Sequence, residues 1–149
     1  MKRILLIFTI VVFVILVWQL YPTEKKRLRH DINTLRKTFE SKNVTEVMNY
    51  IDPSYQDLSG LKCDELARAI EQFFMQVDSI RVQMSGMKLS IDSIAEENIV
   101  FASCSLGIKV LARYEGERVL AFGGIVHPSS VWAWFRKSDG KYRVYYARY

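Results

Sequence analysis

Cysteine and histidine are both scarce: the 149-residue chain holds two of each, Cys63 and Cys104, His30 and His127. The two cysteines are too few for a metal cluster and the two histidines do not complete one, so no metal and no other cofactor is expected. Proline and glycine number only three and seven. No Pro/Gly/Ser-rich linker, low-complexity tract or internal repeat divides the chain, which excludes a string of flexibly joined modules. Basic residues exceed acidic ones, 21 against 16. Six of the 21 (Lys2, Arg3, Lys25, Lys26, Arg27 and Arg29) and one of the 16 (Glu24) flank a single apolar run, which leaves fifteen of each sign from His30 onward. The soluble part therefore lacks the excess of cations that drives nucleic-acid binding by counterion release, and no nucleic-acid partner is expected.

Charge is missing altogether from Ile4 to Tyr21. Eighteen residues in a helix reach about 27 Å, close to the thickness of a bilayer's hydrocarbon core. A cleavable signal has a shorter apolar stretch followed by small residues; here Trp18-Gln19-Leu20-Tyr21-Pro22 follows, all bulky, with no cysteine to take a lipid. Residues 1–22 are predicted to be an uncleaved transmembrane signal-anchor, with Trp18 and Tyr21 in the interfacial belt. Residues 23–30 form a basic juxtamembrane segment whose Lys25, Lys26, Arg27 and Arg29 would meet anionic headgroups. By positive-inside counting those four cations draw the carboxyl-terminal side into the cytoplasm. The Met-Lys-Arg start is that of a secretory signal-anchor, and the preferred topology puts the folded part outside a bacterial cytoplasmic membrane.

Residues 31–149 suffice for one domain with one core. Thr23 can cap a helix with Leu28, Ile32, Leu35 and Phe39 on one stripe, and Arg29, Arg36, Lys37 and Glu40 on the other faces. Asn43 with Glu46 resembles a capping box, opening a short helix that Asp52-Pro53 ends. A loop holding Tyr55, Asp57 and Gly60 leads to a third helix with Leu66, Ile70, Phe73, Phe74 and Val77 inward. After Asp78 the period becomes two: strands carrying Ile80, Val82 and Met84, then Ala102 to Tyr114, then residues 119–134, and a Ser138-Asp139-Gly140-Lys141 hairpin into residues 142–149. Gly86 and Gly123-Gly124 stand where long strands would bend. The expected fold class is α+β: an N-terminal transmembrane helix, then three helices packed on a curved, antiparallel-rich sheet.

This order resembles the nuclear-transport-factor-2-like superfamily, an α+β cone in which a sheet wraps around three helices. The resemblance is carried by Asn43-x-Thr45-Glu46-Val47-Met48-x-Tyr50-Ile51-x-x-x-Tyr55-x-Asp57, by Phe73-Phe74 leading to Ile80-Arg81-Val82, and by Trp134-Phe135-Arg136-Lys137-Ser138-Asp139-Gly140-Lys141-Tyr142-Arg143-Val144. These are packing and turn patterns; the superfamily includes isomerases, dehydratases, ligand-binding modules and assembly domains, so the fold alone names no activity. A span before such a domain also resembles assembly factors of type IV secretion systems, although only Met1 to Arg3 precede it here.

The function expected is a membrane-anchored, non-catalytic binding or assembly module, with a protein partner, a second copy of the chain or a small molecule as its ligand. The alternative is a pocket enzyme of the isomerase or dehydratase type, for which Asp57 or His127 would supply the base, since an imidazole titrates near neutrality. The plainer readings are a loop-turn aspartate and a structural or exposed histidine. Cys63 and Cys104 could pair in an oxidising compartment, or Cys104 could be a buried free thiol. The binding candidates are Tyr55, Trp132, Trp134 and Tyr145. Trp132 and Trp134 share a face opposite Val131, Ala133 and Phe135, and either line a docking surface or lie beneath the helices.

Overall fold

The computed structural model describes residues 23–95 and 99–149. The predicted span at Ile4 to Tyr21 and the turn residues Glu96 to Asn98 lie outside these. Among the described residues no helix is long and apolar enough to cross a membrane.

Helix α1 (Glu24–Glu40) starts where Thr23 accepts a hydrogen bond from the Lys26 amide on its hydroxyl, 3.4 Å. Its stripe buries Leu28 completely and Ile32 almost so, each contributing about 1.5–3 kcal/mol of apolar burial. Helix α2 (Val44–Met48) is capped by Asn43, whose Oδ1 accepts from the Glu46 amide at 3.1 Å. Strand β1 (Ile51–Asp57) and helix α3 (Cys63–Gln76) follow, then β2 (Ser79–Ile94), β3 (Val100–Tyr114), β4 (Glu117–Phe122), β5 (Ser129–Ser138) and β6 (Lys141–Arg148). The fold is α+β, with a curved six-stranded sheet in the order β1-β6-β5-β3-β2 and β4 paired to β3 beyond β5. Among the described residues only β1 and β6 run parallel; the other pairs are antiparallel.

Two expectations about strands are corrected. Residues 51–57 are not a loop but the edge strand β1. Pro53 lies exposed between its paired residues Ile51 and Gln56, where an edge strand tolerates a missing amide donor. Residues 119–134 are not one strand, because residues 123–128 break them into β4 and β5. Gly123 has φ +94°, and a Cβ there would sit 2.7 Å from the Ile108 carbonyl oxygen, so the chain can cross β3 at this point only without a side chain. Gly86, at φ +62°, lies where the β2–β3 register slips, the expected bulge. Asp139 and Gly140 both have positive φ in the expected β5–β6 hairpin turn.

The core has two centres. One joins Leu28 and Ile32 of α1 to Ala102, Cys104, Leu106, Val131, Ala133, Phe135 and Val144 on the inner sheet face. The other gathers Val47, Ile70, Phe74 and Val77 around Val82 and Val110. It carries an aromatic trio: Phe39 packs edge-on against Phe74 at 5.0 Å and stacks with Phe73 at 6.1 Å.

Candidate ligand cavity

Where the two core centres meet, the interior is not filled. The inward residues of the middle strands are small: Cys104, Val131, Ala133 and Val144, with Ala102 close by. A cavity of about 280 Å³ lies between them and the helices, walled by Ile32, Leu35 and Phe39 of α1, Leu66 and Ile70 of α3, and Val82, Leu106 and Val110 of the sheet. That is near the lower end of the volumes that hold small molecules. Its lining is almost wholly apolar, with Cys104 and Arg36 among the residues around it. Burial pushes the thiol up to about 11, so at neutral pH it is a neutral, weakly polar group and a poor nucleophile.

Arg36 does not lie on a solvated face as its position in the helical pattern suggests. Its side chain is 31% exposed, its Nη1 is 3.7 Å from Glu40 Oε1, and that same oxygen accepts from the Val82 amide of β2 at 2.8 Å. Its Nε is buried and has no hydrogen-bond partner among the described residues. Nothing in the sequence pattern distinguishes Arg36 from its neighbours except its place beside Leu35 on the margin of the apolar stripe.

The sequence-predicted residues are not brought together. Asp57, at the end of β1, is almost fully buried, but its oxygens are occupied. Oδ1 accepts from the Ser59 amide (2.8 Å), the Ser59 hydroxyl (2.7 Å) and the Leu61 amide (2.9 Å), and Oδ2 accepts from the Tyr149 hydroxyl at 2.5 Å. Burial raises the carboxyl pKa, but these hydrogen bonds, the Tyr149 one foremost, outweigh it and hold the group below the ordinary carboxylate value. Tyr55 is buried in the first core centre rather than on a mouth-side loop, and burial, with the Asp57 charge, raises its phenol. His127 sits in the exposed crossing of residues 123–128 instead of in a strand alternation, because Gly123 breaks the strand before it.

Trp132 and Trp134 do share the outer face, opposite the buried Val131, Ala133 and Phe135. Trp132 is 43% exposed, with the Arg148 guanidinium 5.6 Å from its ring centre. Trp134 packs on Tyr146 at 5.3 Å. Tyr145 is the extra residue of a bulge in β6 and meets Phe101 edge-on at 6.1 Å. Cys63 and Cys104 are both free thiols.

Buried charge serves architecture elsewhere. Asp52, 1% exposed, accepts from Arg136 Nη2 at 2.7 Å on both oxygens and from Nε at 3.1 Å, as well as from Ser54. Glu24, at the start of α1, takes Lys137 Nζ at 2.9 Å on both oxygens and the Tyr142 hydroxyl at 2.7 Å, and Asp31 accepts from the Tyr142 amide at 3.0 Å. Burial alone would raise both Asp52 and Glu24. Their hydrogen bonds, from Ser54 and Arg136 in one case and from Lys137 and Tyr142 in the other, bring each below the ordinary value.

This curved sheet, wrapped on its helices, has the fold of the nuclear-transport-factor-2-like, or cystatin-like, α+β cone. Among solved structures, the chain is similar to a Streptomyces avermitilis protein named as a candidate dehydratase of the nuclear-transport-factor-2-like family. The TM-score is 0.64 at 10% identity, covering 84% of this chain and 94% of the other. It is also similar to a cystatin-like-fold protein of unknown function from Nostoc punctiforme, with a TM-score of 0.60 at 15% identity, covering 84% and 88%. The helical cell shape determining protein Pgp2 of Campylobacter jejuni, as its K307A mutant, has a TM-score of 0.65 at 12% identity. There the match covers 84% of this chain but only 41% of the other, so the chain spans less than half of that protein's length. No family profile matches the chain, and no curated protein matches it in sequence.

Proposed function

We propose that this chain is a membrane-tethered binding module that holds an apolar small molecule in the cavity of its cone without transforming it. The observation that carries this reading is the composition of the cavity wall, almost wholly apolar side chains with the high-pKa thiol of Cys104 among them. A general base must reach the proton it removes, and Asp57, the best-buried candidate, is already held by four hydrogen bonds. The dehydratase named among the structural neighbours thus supplies a fold analogy, and the alternative of a pocket enzyme using Asp57 or His127 has less support. Residues 4–21 supply the tether, and the juxtamembrane cations supply affinity for anionic headgroups. Lys26, Arg27 and His30, with Asp31 and Gly140, line a surface depression of about 430 Å³ near the start of α1.

The test is a methyl NMR titration of the full chain in lipid nanodiscs with octanol. Ile32, Ile70 and Leu106 line the cavity, so their resonances should shift saturably while surface methyls stay still; shifts confined to the surface would end the reading. Protease accessibility in spheroplasts tests the topology, with cleavage of the folded part from the outside expected. A second reading rests on a separate observation. The exposed Trp132 beside Trp134 and Tyr146 offers the rigid aromatic anchors typical of protein interfaces. Self-association or partner binding that depends on Trp132 and Trp134 would favour an assembly role, including that of a secretion-system subunit.

A further inference from the structure

Three arginines from three adjacent strands share one patch on the outer face of the sheet. Ile80, Val82, Val110 and Ala112 are buried on the inner face, so alternation sends Ser79, Arg81, Leu111 and Arg113 outward. Arg113 pairs with Ser79 of β2 on one side and with Arg118 of β4 on the other, and Arg81 stands opposite Leu111 on the next outward row. Arg81, Arg113 and Arg118, all exposed, rim a depression of about 210 Å³ whose lining also includes Ser79 and Leu111. Among the described residues, ion pairs engage Arg27, Arg36, Arg136, Lys137 and Arg143, and none engages these three. The arginine side chains that donate hydrogen bonds there are Arg68, Arg136 and Arg143, again none of the three. Asp78, Glu115 and Glu117 stand at the same end of the sheet. Asp78 turns its carboxylate to the Gly116 amide at 3.4 Å, and Glu117, opposite Tyr114, alternates away from Arg118. Like charges directly opposite in a strand pair are destabilising. The fold therefore carries the Arg113–Arg118 repulsion with no carboxylate among the described residues answering it.

From this juxtaposition we infer that the depression binds a dissolved phosphate monoester: the phosphate lies between Arg81, Arg113 and Arg118, and Leu111 meets the first carbons of the ester. A phosphate monoester carries about −1.5 to −2 charge at neutral pH and three strong acceptor oxygens. Those oxygens can be shared among guanidiniums arriving from three strands, whereas a carboxylate is satisfied by a single planar fork. If a heavy atom takes about the volume of a liquid water, roughly 30 Å³, the depression of about 210 Å³ holds roughly seven, a phosphate group and its first ester carbons. Position selects the source of the phosphate. Val100, at one end of β3, pairs with Lys137, which holds Glu24 at the start of α1. Arg113 lies at the other end of that strand, up to about 40 Å along it at the usual rise per residue. Headgroups beside the segment that leads into α1 are thus out of its reach, and a soluble ester is favoured over a lipid. The site is on the face of the sheet opposite the interior cavity and does not depend on that cavity's being occupied.

The experiment titrates the full-length protein in phosphatidylcholine nanodiscs with glycerol 3-phosphate at neutral pH and low salt, with glycerol and lactate as controls. The Leu111 methyl and the Ser79, Arg113 and Arg118 amide resonances report binding. They should shift saturably with a dissociation constant below about 1 mM, and lactate should bind at least about tenfold more weakly. Arg113→Gln and Arg118→Gln should each weaken glycerol 3-phosphate by about tenfold, the loss of one charge-assisted contact. Arg143→Gln, which removes a cation already engaged by Ser138 and Asp139, should leave it unchanged. No saturable shift up to about 10 mM, equal binding of lactate, or an affinity that survives both Arg113→Gln and Arg118→Gln overturns the inference. Nanodiscs doped with phosphatidate test the other source. Shifts at Leu111 that need phosphatidate and do not arise with glycerol 3-phosphate assign the arginines to a headgroup and overturn the soluble ligand. Amide spectra establish that each variant is folded; should Arg113→Gln fail to fold, Arg118→Gln on the exposed strand β4 decides. Octanol binding in the cavity should be the same in all these variants, so failure here leaves the cavity reading standing.

Discussion

The two faces of β5 are built from one alternating strand and have opposite characters. Inward stand Val131, Ala133 and Phe135, all buried; outward stand Trp132, Trp134 and Arg136, all at least partly wet. The usual distribution of bulk is reversed over most of the strand, with the largest side chains outside and an alanine and a valine inside. The neighbours repeat the pattern, since Ala102 and Cys104 of β3 face in while Phe101 and Ser103 face out. A close-packed interior needs large residues opposite the helices. Here the small inward residues leave a chamber, and the aromatic area is placed where it can stabilise the sheet from outside or receive a partner.

The comparison can be broken most severely at Phe135, the one bulky inward residue of β5. Phe135→Ala should cost about 3–5 kcal/mol in chemical denaturation, as deletion of a buried aromatic does; a loss under about 1 kcal/mol would mean the inner face is not a core. Next comes the staple beneath that layer. Arg136→Leu strands the carboxylate of Asp52, and the penalty should be about 2 kcal/mol. That is less than for a fully buried pair, because the Arg136 side chain is 38% exposed and Ser54 still serves Asp52.

Acid sharpens the same point. Asp52, Asp57 and Glu24 all have folded-state pKa values below their ordinary ones. The stability each contributes is complete above its unfolded pKa, about 4, and disappears as the pH falls through the lower folded value. Stability should therefore hold flat from about pH 7 to 5 and decline below about pH 4. Asp57→Asn should lessen that decline, and a variant with an unaltered acid profile would show that Asp57 is not linked to folding.

Smaller effects divide the faces by function. Ala133→Leu places three more carbons in the chamber wall; octanol affinity should drop about tenfold or more, with little change in melting temperature because the volume was empty. Trp132→Ala, on the outer face, should alter stability by less than about 1 kcal/mol and leave cavity binding alone. Any change it makes should appear in sedimentation as weaker association.

The helical stripe of Leu28 and Ile32, the caps at Thr23 and Asn43, the long alternations of β2 and β3, and the Asp139-Gly140 turn were all legible in the chain, because periodicity and capping are local physics. Strand β1 was not: Pro53 looks like a stop, and only its parallel pairing with β6, some ninety residues away, makes it an edge strand. Nor was the break at Gly123, which depends on the approach of Ile108 from the neighbouring strand. The candidate site was the least legible part. Tyr55 and Asp57 carried the right residue types for a site but are consumed by structure, whereas Arg36 carried an ordinary surface pattern.

By itself the sequence determined which segments coil into helices and which extend, where charge is absent, and that the chain carries no net charge from His30 onward. Those properties follow from residues within a few positions of one another. Tertiary structure alone decided that the small inward residues of three neighbouring strands face the helices across a gap. It also decided that Arg36 borders that gap with its Nε shut in, and that Asp57 meets the hydroxyl of Tyr149. Volume and hydrogen-bond partnership belong to groups far apart along the chain, and only the folded sheet and its helices bring them within reach.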